Sequence, residues 1–233
     1  MKKFIFSAAI LLALGGQSDA SALIQYHMHM SSAGEGKRVA LTFDACTGKV
    51  DERILTALVD NQIKATIFVT ARWLKRNTVA IATLKAHPEL FEIENHGAQH
   101  LAAVDEPGLV FGQYTAGSPE GVKREVLDGA AAANAAFGTE TKWFRGATAE
   151  YTKSSMDEIK ALGFNLAGFT FSGDGGALFS SEHTARVIAK AQDGDVILAH
   201  INQPGRAAGA GVAEGILRLK AEGFNFVTLN ESF

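Results

Sequence analysis

The sequence predicts an α/β protein built as an irregular (β/α) barrel of about seven parallel strands. Two observations support this fold. Short apolar segments alternate with helical patterns along the chain, and parallel strands need such crossover helices between them. Polar residues follow directly after several of these segments, as catalytic groups do at the carboxyl-terminal face of a TIM-like barrel. The alternation alone also fits an open doubly wound sheet, and the position of the polar residues favours the barrel.

Residues 1–22 are predicted to be a secretory signal peptide. Two lysines precede an apolar run over residues 4–14, and small residues follow at 20–22. This run is shorter than the roughly 20 apolar residues that a membrane-spanning helix needs. We therefore expect an exported protein, periplasmic or secreted, with no membrane span after cleavage. Nothing marks a second domain, so residues 23–233 are expected to form a single one.

The first half of the mature chain contains three predicted strands, at 39–43, 65–69 and 91–95. Asp51 is expected to cap the helix that follows the first strand, and a helical pattern over 74–84 follows the second. The three segments therefore form successive βα units.

The second half continues the same alternation. Ser118 and Pro119 begin a predicted helix that stops at Gly138, and a strand follows near residues 143–144. A buried strand is expected at 196–199, after a helix near 183–191. Two similar segments, 161–169 and 221–229, each predict a helix end, a left-handed glycine (Gly163 and Gly223) and a strand.

The composition is that of an ordinary globular protein. With 20% charged residues and a net charge of −3, the chain has no field that would attract nucleic acid, so its partners must be inferred from a site. The single cysteine, Cys46, excludes an internal disulfide. A small packed residue is the favoured interpretation of Cys46, and a reactive nucleophile is the alternative.

The strongest local signal is a pair of histidines, His96 and His100, directly after the third strand. Their spacing is about one helical turn, which lets both imidazoles face one point. Histidine is the commonest metal ligand among side chains, so the pair predicts a divalent metal, with Zn²⁺ favoured. One buried and one surface histidine would be the alternative.

Four other polar residues follow predicted strands. Asp44 is interpreted as a base, a metal ligand or a turn former. Arg145 is suited to hold a carboxylate, and Asp174 is its expected partner. His200 ends a fully apolar strand, where it either faces a cleft or is a satisfied core histidine.

In this order and spacing, the motifs of residues 38–201 resemble those of the polysaccharide deacetylase family. The resemblance implies the irregular (β/α) barrel of that family. It also implies hydrolysis of an N-acetyl or O-acetyl group on a sugar, with N-acetyl favoured. The expected substrate is an acetylated glycan, polymer or oligosaccharide, of the cell envelope.

The resemblance also implies roles for the individual residues. Asp44 matches the general base of the family and Arg145 the arginine that orients the base, whereas His96 and His100 match its metal-binding histidines. His200 matches the general acid. Asp174 lies in the region of an acidic motif that supports either His200 or Arg145.

One position departs from the family pattern. The family usually has a second aspartate directly after the base, as third metal ligand, and this chain has Ala45 there. Glu94 shares a strand face with His96 and is the proposed replacement, although pairing with a basic residue explains it equally well. Asp44 itself is a further candidate for the third ligand, and Asp51 a weaker one. The departure also leaves open a non-catalytic carbohydrate-binding relative or a hydrolase of a non-sugar amide or cyclic imide.

Overall fold

A computed structural model of the chain describes residues 22–31 and 36–233, so nearly all of the predicted signal peptide lies outside the described residues. The strands within these described ranges are β1 Ile24–Gln25, β2 Arg38–Ala45, β3 Ala65–Val69, β4 Phe91–Asn95, β5 Leu109–Val110, β6 Gln113–Tyr114, β7 Trp143–Phe144, β8 Glu150–Tyr151, β9 Asn165–Leu166, β10 Phe171–Ser172, β11 Val196–His200 and β12 Asn225–Val227. The helices of the same part of the chain are α1 Glu52–Asp60, α2 Ala71–Leu74, α3 Thr78–Ala86, α4 Pro119–Phe137, α5 Lys153–Ala161, α6 Ser181–Ile188 and α7 Ala208–Ala221.

The main sheet is parallel and strongly curled. Its strand order is β10-β11-β2-β3-β4-β7-β9, and β12 pairs with the start of β2. Residues 27–30 run across the opening between the two ends of this order: His27 forms a bridge to Phe169 and His29 forms a bridge to Asp195. The fold is therefore the predicted irregular (β/α) barrel, and its open side is covered by the N-terminal segment.

Side chains of β2 alternate between two environments, as the period of a strand requires. Leu41 and Phe43 belong to the large apolar layer between the sheet and the helices. Ala40 belongs to a smaller apolar cluster inside the barrel, where Thr42 and Asp44 follow it toward the carboxyl end of the strand. The barrel interior thus changes from apolar to polar toward the carboxyl ends of its strands.

The seven predicted strands are all present, and β10 is an additional short strand of the same sheet. The predicted helix over 74–84 is wrong in extent, because α2 and α3 are separate helices with Asn77 between them. The Asn77 side chain accepts from Val50 N and donates to Trp73 O, so it ties this break to the loop after β2.

The predicted helix ends are confirmed. Asp51 caps α1 by accepting from Arg53 N, and its carboxylate also pairs with the Arg53 side chain, which removes it from the candidates for a metal ligand. Ser118 caps α4, which ends at the left-handed Gly138. Among the residues that the structure describes, none of the helices has the length and apolar character needed to span a membrane.

Helix α4 approaches the loop after β4 closely enough to exclude a side chain. A Cβ atom added to Gly129 would lie 2.4 Å from Asn95 Oδ1 and 2.7 Å from Gly97 Cα. The Asn95 side chain in turn donates to Val126 O of α4 and accepts from Gly97 N. This contact fixes the loop that carries the two predicted metal-binding histidines.

We therefore expect Gly129→Ala to lower the free energy of unfolding, measured by urea denaturation, by about 1–2 kcal/mol. Overpacking costs about 1–3 kcal/mol and outweighs the gain in helix propensity of at most ~1 kcal/mol. Gly108→Ala is the matched control, because nothing lies within 4 Å of its added Cβ. Equal stability of Gly129→Ala and the wild type would show that this contact does not hold the loop.

Candidate metal and catalytic site

A cavity of about 660 Å³ opens at the carboxyl ends of the strands. It brings together four of the predicted site residues and the single cysteine, and these are Asp44, Cys46, His96, His100 and His200. The strand register explains the meeting: Asp44 of β2 pairs with His200 of β11, and β4 ends nearby at the residue before His96.

Asp44 and Arg145 form a buried ion pair inside the barrel. Arg145 donates from Nε to Asp44 Oδ1 at 2.8 Å, and its Nη2 lies 2.7 Å from the same oxygen. The guanidinium is fully buried, donates to Thr42 Oγ1 and lies 4.2 Å from the centre of the Phe68 ring. The prediction that Asp174 is the partner of Arg145 is wrong, because Arg145 is bound to Asp44 of β2 and Asp174 is bound to His200.

The ion pair keeps Asp44 charged. Burial alone would raise the pKa of this carboxyl, but the Arg145 charge beside it, with smaller contributions from His96 and His200, holds the pKa below its ordinary value. Asp44 Oδ2 faces His96 Nε2 at 3.6 Å. The carboxylate is therefore ionised at neutral pH, with its second oxygen directed toward the histidines.

Asp174 is bound to His200. Its Oδ2 accepts from the His200 backbone N–H at 2.7 Å, and both carboxylate oxygens lie 3.1 Å from His200 Nδ1. Burial lowers the pKa of His200, but the charge and hydrogen bonds of Asp174 outweigh burial and raise it above its ordinary value. The imidazole is thus oriented and favours the protonated form.

His96 is fixed in one tautomer by the backbone. Its Nδ1 lies 2.6 Å from the carbonyl oxygen of Arg145, and a carbonyl only accepts, so Nδ1 carries the proton. The lone pair is then on Nε2, which faces Asp44 and lies 3.6 Å from Cys46 Sγ. Burial lowers the pKa of His96, which keeps the ring neutral.

His100 reaches the same point from a loop, and the expected helical turn between the two histidines is absent. His100 itself has a left-handed backbone, with φ 64°, and its Nδ1 lies 3.2 Å from Gln113 Oε1. The buried Glu125 carboxylate holds this loop by accepting from Gln99 N and Leu101 N. Burial lowers the pKa of His100 to about 4, so this ring is also neutral at pH 7.

Cys46 supplies the third donor of the cluster. Among the described residues, Cys46, His96 and His100 each offer one ligand atom, and these atoms all lie within 4.8 Å of one another. Neutral imidazole and sulfur are the donors that zinc prefers. The residues present therefore fit a zinc-like metal, with His96 and His100 as the ligands that the sequence predicted.

Glu94, by contrast, does not reach this cluster. Its Oε2 accepts from Lys142 N and Trp143 N, both at 2.8 Å, at the start of β7. The glutamate lines a separate cavity near Phe91 and Asn230, and burial raises its pKa to about 8. The prediction that Glu94 is the third metal ligand is wrong, because its carboxylate is bound by the backbone at the start of β7 and lies outside the group of donors.

The sequence patterns do not indicate two positions that the structure places at or beside this cluster, Cys46 as a possible metal donor and Glu125 as the residue that holds the histidine loop. Cys46 was interpreted as a packed residue or a nucleophile, although its spacing of two from Asp44 places both on the cavity side of the strand. Nothing in the sequence indicates that Glu125 holds the loop of His100, because a glutamate within an amphipathic helix normally faces solvent.

A curled parallel barrel thus gathers an ionised carboxylate, an oriented histidine and a set of possible metal donors at its strand ends, where barrel enzymes place their active sites. A model of the family described as polysaccharide deacetylase matches residues 31–167, more than half of the sequence, and the chain belongs to that family. The resemblance noted from the motifs is confirmed, and with it the assignment to a family of hydrolases.

Solved structures with the same fold include a family 4 carbohydrate esterase from Bacillus subtilis, PdaA, at 17% identity and TM-score 0.69, with 89% of this chain and 84% of that chain covered. A xylanase-linked family 4 domain from a termite hindgut metagenome is 22% identical at TM-score 0.69, covering 85% of this chain and 90% of that one. A pseudoenzyme of the same family from Bacillus anthracis matches at 19% identity and TM-score 0.65, covering 85% and 66%.

A curated relative is the bifunctional xylanase/deacetylase of Pseudobutyrivibrio xylanivorans. It is 23% identical over 227 residues, which is 97% of this chain. The chain spans about a third of the length of that relative, 35%.

The Asp174–His200 pair predicts a pH-dependent effect. We expect Asp174→Asn to lower the pKa of the His200 imidazole, measured by NMR titration, because the charge that raises it is removed. The pKa of His200 in the folded protein is raised above the ordinary value of 6.5. The Asp174–His200 pair therefore stabilises the wild type fully below pH 6.5. This stabilisation is lost as the pH rises through the folded-state pKa.

The loss of stability as pH rises through the His200 pKa should be absent in Asp174→Asn, because burial, the largest remaining influence, lowers that pKa. Asp195→Asn is the control, because the Asp195 carboxylate faces His29 instead, at 3.7 Å. An unchanged His200 titration in Asp174→Asn would contradict the assignment.

Proposed function

We propose that the chain is a metal-dependent hydrolase that removes acetyl groups, N-acetyl in preference to O-acetyl, from a carbohydrate polymer or oligosaccharide of the cell envelope. The observation that carries this proposal is the pairing of Asp44 with His200 on adjacent strands, beside the two neutral histidines His96 and His100. One member of the pair is held ionised and the other is biased toward protonation, which is the division of roles that acyl hydrolysis needs.

The metal would be held by His96 and His100 through their Nε2 atoms. When bound, a divalent cation supplies a Lewis acid that polarises the acetyl carbonyl and acidifies water near neutral pH. Asp44 accepts the proton of the attacking water at Oδ2, since Oδ1 is occupied by Arg145. Arg145 remains charged throughout and keeps the base ionised and oriented.

His200 acts on the opposite side of the reaction as the general acid. Its Nδ1 is bound by Asp174, so the proton that it gives to the departing group leaves from Nε2. An amine is a poor leaving group unless it is protonated as the C–N bond breaks, whereas an alcohol needs less help. A histidine with a raised pKa therefore favours an N-acetyl substrate.

The buried pairs Asp44–Arg145 and Asp174–His200 also argue against a non-catalytic carbohydrate-binding protein. A domain that only binds sugar has no need of an ionised carboxylate held by a buried arginine, or of a histidine held by a buried aspartate, and buried charges are costly to keep. Both pairs are intact here. Catalysis is thus the better-supported function.

The mouth of the cavity supports an extended substrate. The β5–β6 hairpin stands at its rim, with Phe111 80% exposed at the turn, and Leu178 is 71% exposed and also lines the cavity. Exposed apolar side chains around a polar cavity mark a binding surface. We propose that several sugar rings of one chain contact this rim.

The direct test is acetate release by the zinc-loaded protein from chitooligosaccharides, peptidoglycan fragments and acetylxylan. We expect the highest kcat/KM on an N-acetylated oligosaccharide, higher than on its monomer, and complete loss of activity with a chelator. Asp44→Asn should lower kcat by about 10²–10⁴-fold, the usual contribution of a general base. Asp128→Asn, an exposed carboxylate on α4, is the control and should retain full activity.

Two outcomes would overturn the proposal. A folded, zinc-bound protein that releases no acetate but binds glycans in the presence of chelator would be the binding protein. Hydrolysis of a cyclic imide or a non-sugar amide alone would identify the second enzymatic alternative.

We also propose that the protein is exported, on the basis of the signal-like sequence of residues 1–22. Expression in a bacterial host should give a periplasmic or secreted product whose N-terminal sequence begins near residue 23. A cytoplasmic product that retains Met1 or Lys2 would contradict export.

A further inference from the structure

The end of β2 places two successive inward positions at residues 44 and 46. Ala45, between them, is fully buried and belongs to the apolar layer between sheet and helices, whereas Asp44 and Cys46 both line the cavity. The position at which the family carries its second aspartate therefore faces away from the metal donors in this chain. A carboxylate there would be buried among apolar side chains.

We propose that the thiolate of Cys46 is the third protein ligand of the metal, so that the site has two imidazole nitrogens and one sulfur. The inference rests on the metal dependence proposed above and adds the identity of the missing ligand. It replaces the carboxylate of the family pattern with a softer donor of equal charge.

The distance between donors is what such a site requires. Zn–S and Zn–N bonds of about 2.3 and 2.0 Å at a tetrahedral angle put the sulfur and nitrogen about 3.5 Å apart. Cys46 Sγ and His96 Nε2 are 3.6 Å apart. The same pair, without metal, is close enough for a weak S–H···N hydrogen bond, so an experiment must separate the two states.

The surroundings of the histidines direct both lone pairs toward the cysteine. Nδ1 of His96 donates to the Arg145 carbonyl, and Nδ1 of His100 faces the Gln113 amide oxygen. Such partners fix the tautomer of metal-binding histidines. Nε2 is then the ligand atom of each ring.

The two nearby carboxylates are placed less well than the cysteine to complete the site. Arg145 holds Asp44 through Oδ1; Asp44 Oδ2 lies 3.6 Å from His96 Nε2, but Asp44 is not part of the group whose ligand atoms all lie within 4.8 Å of one another. Glu94 is bound to the backbone at the start of β7. No other group of three or more such side chains meets the same distance criterion among the described residues. Cys46 is thus the donor with the position and the freedom to complete the site.

A thiolate ligand changes which metals the site prefers. Sulfur and imidazole donors suit zinc and cobalt, whereas Mg²⁺, Ca²⁺ and Mn²⁺ prefer oxygen donors. We therefore expect Zn²⁺ to displace Mn²⁺ fully from the protein, and Mg²⁺ to have no effect on bound zinc.

The test uses Co²⁺ in place of zinc, because a cobalt–thiolate bond gives an intense charge-transfer absorption in the near ultraviolet. The wild-type chain with one equivalent of Co²⁺ should show this band. Cys46→Asp should bind Co²⁺ without the band, and Cys46→Ala should bind zinc at least ~10-fold more weakly, since even indirect partners of a metal contribute about 10–100-fold. His87→Ala, which removes a histidine outside the site, is the matched control and should keep the band.

A wild-type protein that binds Co²⁺ through His96 and His100 without the charge-transfer band would overturn the proposal, whatever the variants do. This reading is independent of activity. If the band is present but no acetate is released, the proposed deacetylation is refuted and the thiolate ligand stands. If acetate is released but the band is absent, the thiolate ligand is refuted and the deacetylation stands.

Discussion

The site depends on the buried charge of Arg145. A guanidinium without solvent must be compensated, and here three groups from two strands do so: the Asp44 carboxylate, the Thr42 hydroxyl and the face of Phe68. Breaking a buried pair of this kind costs about 3–5 kcal/mol. The pair joins β2 to β7 across the barrel interior and also fixes the ionisation of the proposed base. The carbonyl of the same arginine sets the tautomer of His96, so one residue orients both the proposed base and a proposed metal ligand.

The barrel fold brings the other residues of the site together, because the carboxyl ends of its parallel strands lie at one face. Parallel strands bring residues that are distant in sequence to one face, which is how His200 comes beside Asp44 in the strand register. Helix α4 then fixes the loop after β4 from behind, through Glu125 and the close approach at Gly129. Rigid elements therefore hold the side chains, and the exposed β5–β6 hairpin stands at the proposed substrate-binding rim.

Much of this arrangement could be predicted from the sequence, because Asp44, His96, Arg145 and His200 lie at or directly after the ends of recognisable strands. The seven strands that the apolar segments predict are all present in the structure. The order of the polar residues that follow these strands indicates the family. The pairing of the charges could not be predicted, because it depends on which strands are neighbours and on how far a side chain reaches. Arg145 was assigned to Asp174 by sequence and is bound to Asp44 in the structure, while Asp174 holds His200.

The third metal ligand shows a second limit of prediction from the sequence, the depth of a side chain within the barrel. Glu94 and His96 do share a strand face, but two residues advance about 6.6 Å along a strand, so the glutamate lies one layer deeper and is used by the β7 backbone. Cys46 directly follows the last residue of β2, so its side chain lies at the level of the histidines. Sequence periodicity gives the face of a side chain, and only the position of the strand end gives its depth.

The most direct test of this account is a crystal structure of the zinc-loaded protein with the metal located by its anomalous scattering. We predict one zinc ion, bonded to Cys46 Sγ at about 2.3 Å and to Nε2 of His96 and His100 at about 2.0 Å, with Asp44 still paired to Arg145. A zinc ion bonded to Glu94, or one that displaces Asp44 from Arg145, would contradict it.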